Sequence, residues 1–433
     1  MNSTADLTDE ALEEIKTAFD CARDKVLARV PFPELAEELN LVLDKHGLTK
    51  AQPRSSGLDL NSVPFKLVDT ADGNKVIDEG WPTSSPMDID LDNYGTLTVW
   101  IQNWMNNMRL CAPLVTEDFA KRDSNAYMFE DYIERKPERP DLAVVLGSGP
   151  SLNESAKLLK DFPGYIFAGP TNASIAARYG AVPHAIIAID SGSSTSMQMA
   201  VAPFDRLGSW LITNPSIDYD AAASFKKRLW FCSLIQMGGS AQHPFNLFQK
   251  MLFSPVVAWM YQAGCVVNAA LLFLHMLSVK RERYFKRIFL LGTDFCYRKN
   301  ASRCKSFTYR EDGTWYQRDV MNPSDRILTR ARLTRSRNGL VTDEAMLGYK
   351  RSLLTIWQIA YLRLYDGSDG ILTEIPKADF NALTRTQDWD SGVEDYSDEF
   401  VTKTLQDYLN DTGYDGKKSG NEGKPIEDLE KLW

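Results

Sequence analysis

A chain of 433 residues is long enough to bury a large core and to hold more than one domain. With 44% hydrophobic and 25% charged residues its composition is that of a globular protein, which excludes global disorder. The net charge of -9 and a pI near 5.2 argue against broad, sequence-independent nucleic-acid binding, which needs a basic surface.

The first elements in chain order are helical. Residues 1–50 read as helices: Thr8 stands as N-cap before an acidic first turn, and Leu12, Ile15, Phe19, Ala22 and Val26 recur at helical spacing. Pro31 and Pro33 break that run. The segment 51–95 is rich in Pro, Gly, Ser and Asp, and Ala71-Asp72-Gly73-Asn74 between two short apolar runs predicts a hairpin over 64–79. Two more helices are expected over Thr96–Leu114 and Glu117–Arg135, and Lys136-Pro137-Glu138-Arg139-Pro140 reads as a hinge. The organisation expected is a mainly helical region over 1–135, a central domain over 136–310, and a helical C-terminal extension over 311–433 with a mobile tail near Gly413–Pro425.

From 141 to about 300 the period changes. Short apolar runs at Leu142–Leu146, Tyr165–Ala168, Ala185–Ile189, Trp210–Thr213, Leu229–Cys232 and Ile288–Leu291 alternate with helical segments. Such alternation predicts an α/β fold, Rossmann-like and doubly wound, with a mainly parallel sheet. Residues 236–262 are aromatic- and Met-rich and less regular, and suggest a flap or an inserted helix. Thr342–Leu364 reads as a long amphipathic helix.

No apolar run approaches the ~18 residues needed to span a bilayer, and the N-terminus lacks the basic and apolar regions of a secretory leader. No membrane contact is expected from a chain without such a run, and six scattered cysteines with no C-x-x-C pair point to reduced thiols in a cytoplasmic protein.

The chemistry centres on Gly147-Ser148-Gly149-Pro150-Ser151, which follows the first central strand and opens a helix with Pro150 at its start. A strand, a Gly turn and a helix N-terminus form an anion site, or simply a turn of the kind any α/β protein contains. It is not a P-loop, because no G-x-x-x-x-G-K-[ST] is present. It is a poor dinucleotide fingerprint as well: Leu152 stands where the third glycine would be, and Asn172 where an acid would hold a ribose. A mononucleotide, held by backbone N–H groups and the Ser148 and Ser151 hydroxyls, fits better. Asp190 and Asp294 each end an expected parallel strand, the edge where ligands bind in open α/β sheets. Two carboxylates converging on phosphates suggest Mg²⁺; the alternative is that each caps its own turn. Asn172 contacts a base or ribose, or caps the next helix, and Gly264 opens another helix whose N-terminus faces the same edge. The four histidines show no metal-ligand spacing; His243 is the candidate base, while His184 leads a strand from the wrong edge. The basic and aromatic stretch 297–310 follows Asp294 directly and is placed to close over phosphates.

Three stretches in this order, Val144–Leu152, Gly180–Asp190 and Ile288–Phe295, resemble the MptE-like 6-hydroxymethylpterin diphosphokinase superfamily, a Rossmann-like group that includes motility-accessory-factor proteins and is similar to CMP-sialyltransferase-type enzymes. Trp104-Met105-Asn106-Asn107-Met108 resembles a helix found ahead of that core. The resemblance implies that Gly147–Ser151 is the nucleotide-phosphate loop, that Asp190 and Asp294 are the strand-end acids, and that Asn172 is a nucleotide-contacting position. His184 stands where the pattern carries an acid after proline, and about 140 residues precede the resembling core. The function expected is Mg²⁺-dependent transfer from a nucleoside triphosphate, ATP foremost, to a hydroxymethyl or hydroxyl acceptor. The alternatives are a glycosyltransferase using a CMP-activated nonulosonic acid, and a nucleotide- or partner-binding module without turnover. Neither the acceptor nor the oligomeric state is legible.

Overall fold

The structure is a computed structural model. It describes residues 133–234, 258–261, 264–280, 285–298, 303–317, 333–360 and 362–412 except 134, 299–302, 311 and 337, together with 104, 107–119, two short strands near residue 70, and positions 14, 17 and 45. The expected helices of residues 1–50, most of the 236–262 stretch, His243, and the tail after 412 lie outside the described residues.

The strands are β1 (Leu67–Asp69), β2 (Lys75–Ile77), β3 (Leu142–Leu146), β4 (Tyr165–Ala168), β5 (Ala185–Ala188), β6 (Trp210–Thr213), β7 (Arg228–Leu234), β8 (Ala258–Tyr261), β9 (Arg287–Leu291), β10 (Phe307–Tyr309), β11 (Trp315–Gln317), β12 (Leu333–Arg335), β13 (Val341–Asp343) and β14 (Leu364–Asp366). The helices are α1 (107–119), α2 (Leu152–Ser155, continued as a 3-10 turn over Ala156–Asp161), α3 (Pro170–Arg178), α4 (Ser193–Met199), α5 (Tyr219–Ala223), α6 (Val266–Lys280), α7 (Glu344–Ala360), α8 (Phe380–Thr386) and α9 (Asp398–Thr412).

Eight strands form one sheet in the order β14-β9-β3-β4-β5-β6-β7-β8, and every pairing in it is parallel. The order follows from the sequence. β3, β4, β5, β6 and β9 are apolar at nearly every position and buried on both faces, as a parallel sheet covered by helices requires. From β3 the chain winds outward through β4 to β8, then returns through α6 to place β9 on the other side of β3. The winding direction therefore reverses between β3 and β9. With right-handed crossovers the helices after β3 to β6 share one face, while α6 and α7 cover the other. α6 packs on α7 and α7 on α9.

The structure corrects the expected boundaries. β14 pairs with β9, so the segment after 310 completes the sheet instead of extending from it. Phe162, Phe289, Phe380 and Trp389 pack ring against ring at centroid distances of 5.1 to 6.1 Å, tying α8 and the following turn into the core. α1 runs unbroken through 115–116, where two helices were expected. It is stitched to the central sheet as well: Asp118 accepts from Arg228 at 2.6 and 3.0 Å and from the Trp230 indole at 2.9 Å, all three residues being buried. At its other end the Asn107 amide donates to the carbonyls of Ser191 and Ser216 at 3.1 Å each. The irregular stretch 236–262 contains the edge strand β8. The expected hairpin forms from β1 and β2 in antiparallel register. The five described cysteines are free. No described helix is long and apolar enough to cross a membrane.

Candidate functional site

The carboxyl ends of β9, β3, β4 and β5 lie side by side, and each carries one of the residues singled out in the sequence. In open parallel sheets the crevice at the reversal of strand order is where ligands bind, and here it opens between the ends of β3 and β9.

The turn after β3 is locked to the turn after β9. Gly147 N–H donates to Leu291 O at 2.7 Å and Gly149 N–H to Gly292 O at 2.6 Å. Asp294 completes the lock: one carboxylate oxygen accepts from Ser151 N–H at 2.8 Å and the other from the Ser151 hydroxyl. The glycines are required for this contact. A Cβ on Gly147 would stand 2.2 Å from Gly292 O, and one on Gly149 would stand 2.5 Å from Asp294 Cγ. Their lack of side chains serves the packing of turn on turn. The phosphate-cradle reading of this turn is corrected accordingly, because the N–H groups of Gly147, Gly149, Ser151, Leu152 and Asn153 already have acceptors. Among the described residues Ser148 N–H is the turn's one backbone donor with no acceptor, and Pro150 has no N–H.

Asn172 also belongs to the scaffold. Its Oδ1 accepts from Gly169 N–H at 2.7 Å and its Nδ2 donates to Leu146 O at 2.7 Å and to Ser148 Oγ at 3.3 Å. It is 2% exposed, so it ties the end of β4 to the end of β3 instead of reaching a base or ribose. Gly264 stands just ahead of α6 with φ +75°, in the left-handed region that favours glycine. Val266 at the head of α6 lies against Gly169 at the head of α3, where a Cβ would meet Val266 Cγ1 at 3.0 Å. The N-termini of a nine-residue and a fifteen-residue helix therefore meet beside the turn. Their dipoles favour an anion there, while at α3 Pro170 has no N–H and the N–H groups of Gly169, Asn172 and Ala173 already have acceptors.

Asp294 is fully buried, and burial raises its carboxyl above the usual range, with the Ser151 hydrogen bonds opposing that rise. Phe295, the next residue, holds φ +47°, uncommon for a bulky side chain. Neighbours fix it: Thr342 Oγ1 donates to Phe295 O at 2.7 Å and Ile371 N–H to Asp294 O at 2.9 Å. Asp190 ends β5 and is exposed, its carbonyl accepting from Thr195 Oγ1 at 3.1 Å. β5 is three strand spacings from β9, about 14 Å at ordinary sheet geometry. A cation that needs oxygens at roughly 2 Å is not shared across that gap, and the Asp294 carboxylate is turned to Ser151. The expected joint metal site of Asp190 and Asp294 is corrected to two separate acids. Among the described residues no group of three or more His, Cys, Asp or Glu gathers as a metal site.

Charge comes from the basic stretch after β9, which the sequence reading placed near the phosphates, and from the segment after β14, which it did not select. Arg298, in the basic stretch after β9, donates to Asp369 at 3.4 Å and its side chain is 41% exposed. Lys377 donates to the Asp366 carboxylate at 2.5 Å and to Ser368 O at 2.8 Å. Asp294, Arg298, Asp369 and Lys377 all lie within electrostatic reach of the buried Cys296 thiol, which burial pushes up to about 12. The Ser368 hydroxyl accepts from Thr293 N–H at 2.9 Å. The signal for this half of the site was present in Leu364-Tyr365-Asp366-Gly367-Ser368, an apolar strand ending in Asp and a turn. The basic stretch itself lies along the turn: Cys304 N–H donates to Ser148 O at 2.8 Å, Lys305 N–H to Asn153 Oδ1 at 2.7 Å, and Phe307 N–H to Ser174 Oγ at 3.1 Å. His184 sits at the amino end of β5 as expected, its Nδ1 accepting from Ile166 N–H at 3.1 Å, and burial pushes its pKa down to about 3.

The sheet and its helices define a Rossmann-like α/β protein whose winding reverses between β3 and β9. Residues 121–300 match the family model described as 6-hydroxymethylpterin diphosphokinase MptE-like, and over this segment the resemblance of the three motifs is borne out. The match supports a transferase. No curated protein matches the chain. Among solved structures, the MAf glycosyltransferase from Magnetospirillum magneticum AMB-1 is similar at 14% identity and a TM-score of 0.39, covering 70% of this chain. The chain spans 42% of the length of that structure.

Proposed function

We propose that this chain is a nucleotide-dependent transferase whose nucleotide phosphates lie at the β3/β9 crevice, with transfer from a nucleoside triphosphate to a hydroxyl-bearing acceptor as the reaction. The observation that supports it most is the meeting of two helix N-termini beside a rigid glycine turn at the reversal of strand order. In this reading the phosphates face Ser148 N–H and the heads of α3 and α6, and Arg298 neutralises charge from the β9 side. The glycine turn acts as a stiff floor held by Asp294. Mg²⁺ arrives on the phosphates with water, as it usually does, and takes Asp190, an exposed strand-end acid. Such a site works by positioning and charge neutralisation, which is most of what phosphoryl-type transfer asks of a protein.

A thermal-shift panel with ATP, GTP, CTP and CMP, each with and without Mg²⁺, tests the reading. Stabilisation by a triphosphate that grows with Mg²⁺ supports it. Stabilisation by CMP that ignores the metal points to CMP-sugar transfer, and unchanged melting with every nucleotide points to a module without turnover.

A further inference from the structure

The segment after β14 carries an open cavity of 410 Å³, bounded by the turn around Thr373 and Glu374 and by one face of α9. That volume lies in the range of small-ligand sites. The cavity is chained to the candidate site. Ile371 N–H donates to Asp294 O at 2.9 Å and Thr373 N–H to Ile371 O at 3.0 Å, so the wall begins two residues from the turn that carries Asp294. At the rim, the Asn338 amide donates to Gly370 O at 3.0 Å.

The lining has a distinct chemistry. Among the described residues no Lys or Arg lines the cavity; Glu374, Asp407, Thr373 and Thr404 do, with the rings of Phe400 and Tyr408. Lys350 lies outside that lining, its side chain fully buried, and its charge is matched by Glu374 at 3.0 Å. The same ammonium stands 4.7 Å from the Tyr408 ring centroid, so that aromatic face already has its cation. What the cavity presents is one exposed carboxylate, Asp407, two hydroxyls, an amide and one exposed ring, Phe400. Among the described residues an anion would meet carboxylate oxygens in the lining, the nearby Lys350 being already matched by Glu374. A neutral molecule rich in hydroxyl groups meets acceptors for its O–H donors, and a ring for its C–H face.

We propose that this cavity binds an uncharged polyhydroxylated small molecule, the acceptor of the transfer, beside the crevice that holds the nucleotide. The proposal rests on the transferase reading for the word acceptor; the binding site itself does not. The test is ligand-observed saturation-transfer NMR on the full chain with glucose, galactose and glucose 6-phosphate as probes, alongside ATP titrations of the same samples. The expected result is saturable binding of at least one neutral sugar, at least tenfold weaker binding of the phosphate ester, and loss of the signal in Thr404→Trp, which fills the cavity. Asp407→Asn changes an exposed carboxylate and preserves volume; it should weaken binding about fivefold with an unchanged melting curve, whatever Thr404→Trp does to folding. Phe400→Ala should weaken binding to a similar extent, with a lowered melting temperature because its ring also packs against Trp357 and Tyr396. No saturation by either neutral sugar, equal binding of the phosphate ester, or wild-type binding by Phe400→Ala and Asp407→Asn would overturn the proposal. Sugar binding lost while ATP still binds removes the acceptor site alone; sugar binding kept while no nucleotide binds removes the transferase reading and leaves the site.

Discussion

At the scale of single residues, the glycine turn owes its composition to the turn it faces. Gly147→Ala sets a methyl 2.2 Å from the backbone oxygen of Gly292, which cannot move without shifting β9. Chemical denaturation should show a loss of about 2 kcal/mol or more, typical of overpacking against backbone; unchanged stability would mean the turns are not locked. Asp294→Ala should lower stability by about 2 kcal/mol, because Ser151 N–H and its hydroxyl lose a charged acceptor. Asp366 supplies a pH test. It is fully buried at the end of β14, and burial pushes its carboxyl up to about 6 despite Lys377. A carboxyl raised in the folded state contributes stability that is fully present below its unfolded value and is lost as pH rises through the folded one. The wild type should therefore lose, relative to Asp366→Asn, on the order of 2–3 kcal/mol between pH 4 and pH 7. Parallel stability curves for the two proteins over that range would contradict the burial argument.

At the scale of elements, most of the sheet was legible because its strands are short apolar runs set off by Gly, Pro and Asp. β3, β4 and β6 fall where the periodicity puts them. β14 was not legible: three residues of strand follow a seventeen-residue amphipathic helix whose period dominates the window. β8 was missed for a related reason, since Ala258–Tyr261 is embedded in an aromatic stretch with no alternation to separate strand from helix. The order of strands carries the larger lesson. Asp190 and Asp294 are equivalent in sequence, each ending an apolar strand, yet the winding reversal puts three strand spacings between them. Nothing in the local pattern reports that distance. Nor does it report that Asn172, Gly149 and Asp294 meet as one brace, since their contacts join residues more than twenty positions apart. A chain ended after Ala360 tests how far β14 belongs to the sheet. It would leave the edge of β9 unpaired and Phe289 without its Phe380 and Trp389 neighbours. Calorimetry should find no cooperative transition in it; a melting curve like that of the full chain would show that 364–412 is an appendage.

For the whole molecule, the elements from α1 to α9 draw on all three expected regions. α1 is bonded to β7 through Asp118, and β14 pairs with β9, so the elements on either side of the MptE-like segment help to build its sheet and cover it. The C-terminal segment supplies Lys377 and Asp369 to the electrostatic surroundings of the crevice, and the cavity beside it. Overall negative charge says little about such a site, because a local pair of exposed cations decides whether phosphates are attracted. The most direct measurement is isothermal titration of the wild type and of Arg298→Ala with ATP and Mg²⁺. The account predicts saturable binding to the wild type and roughly tenfold weaker binding to the variant, as expected for one lost charge-assisted contact. Equal affinity in the two proteins, or no binding to either, would contradict the placement of a nucleotide at the β3/β9 crevice.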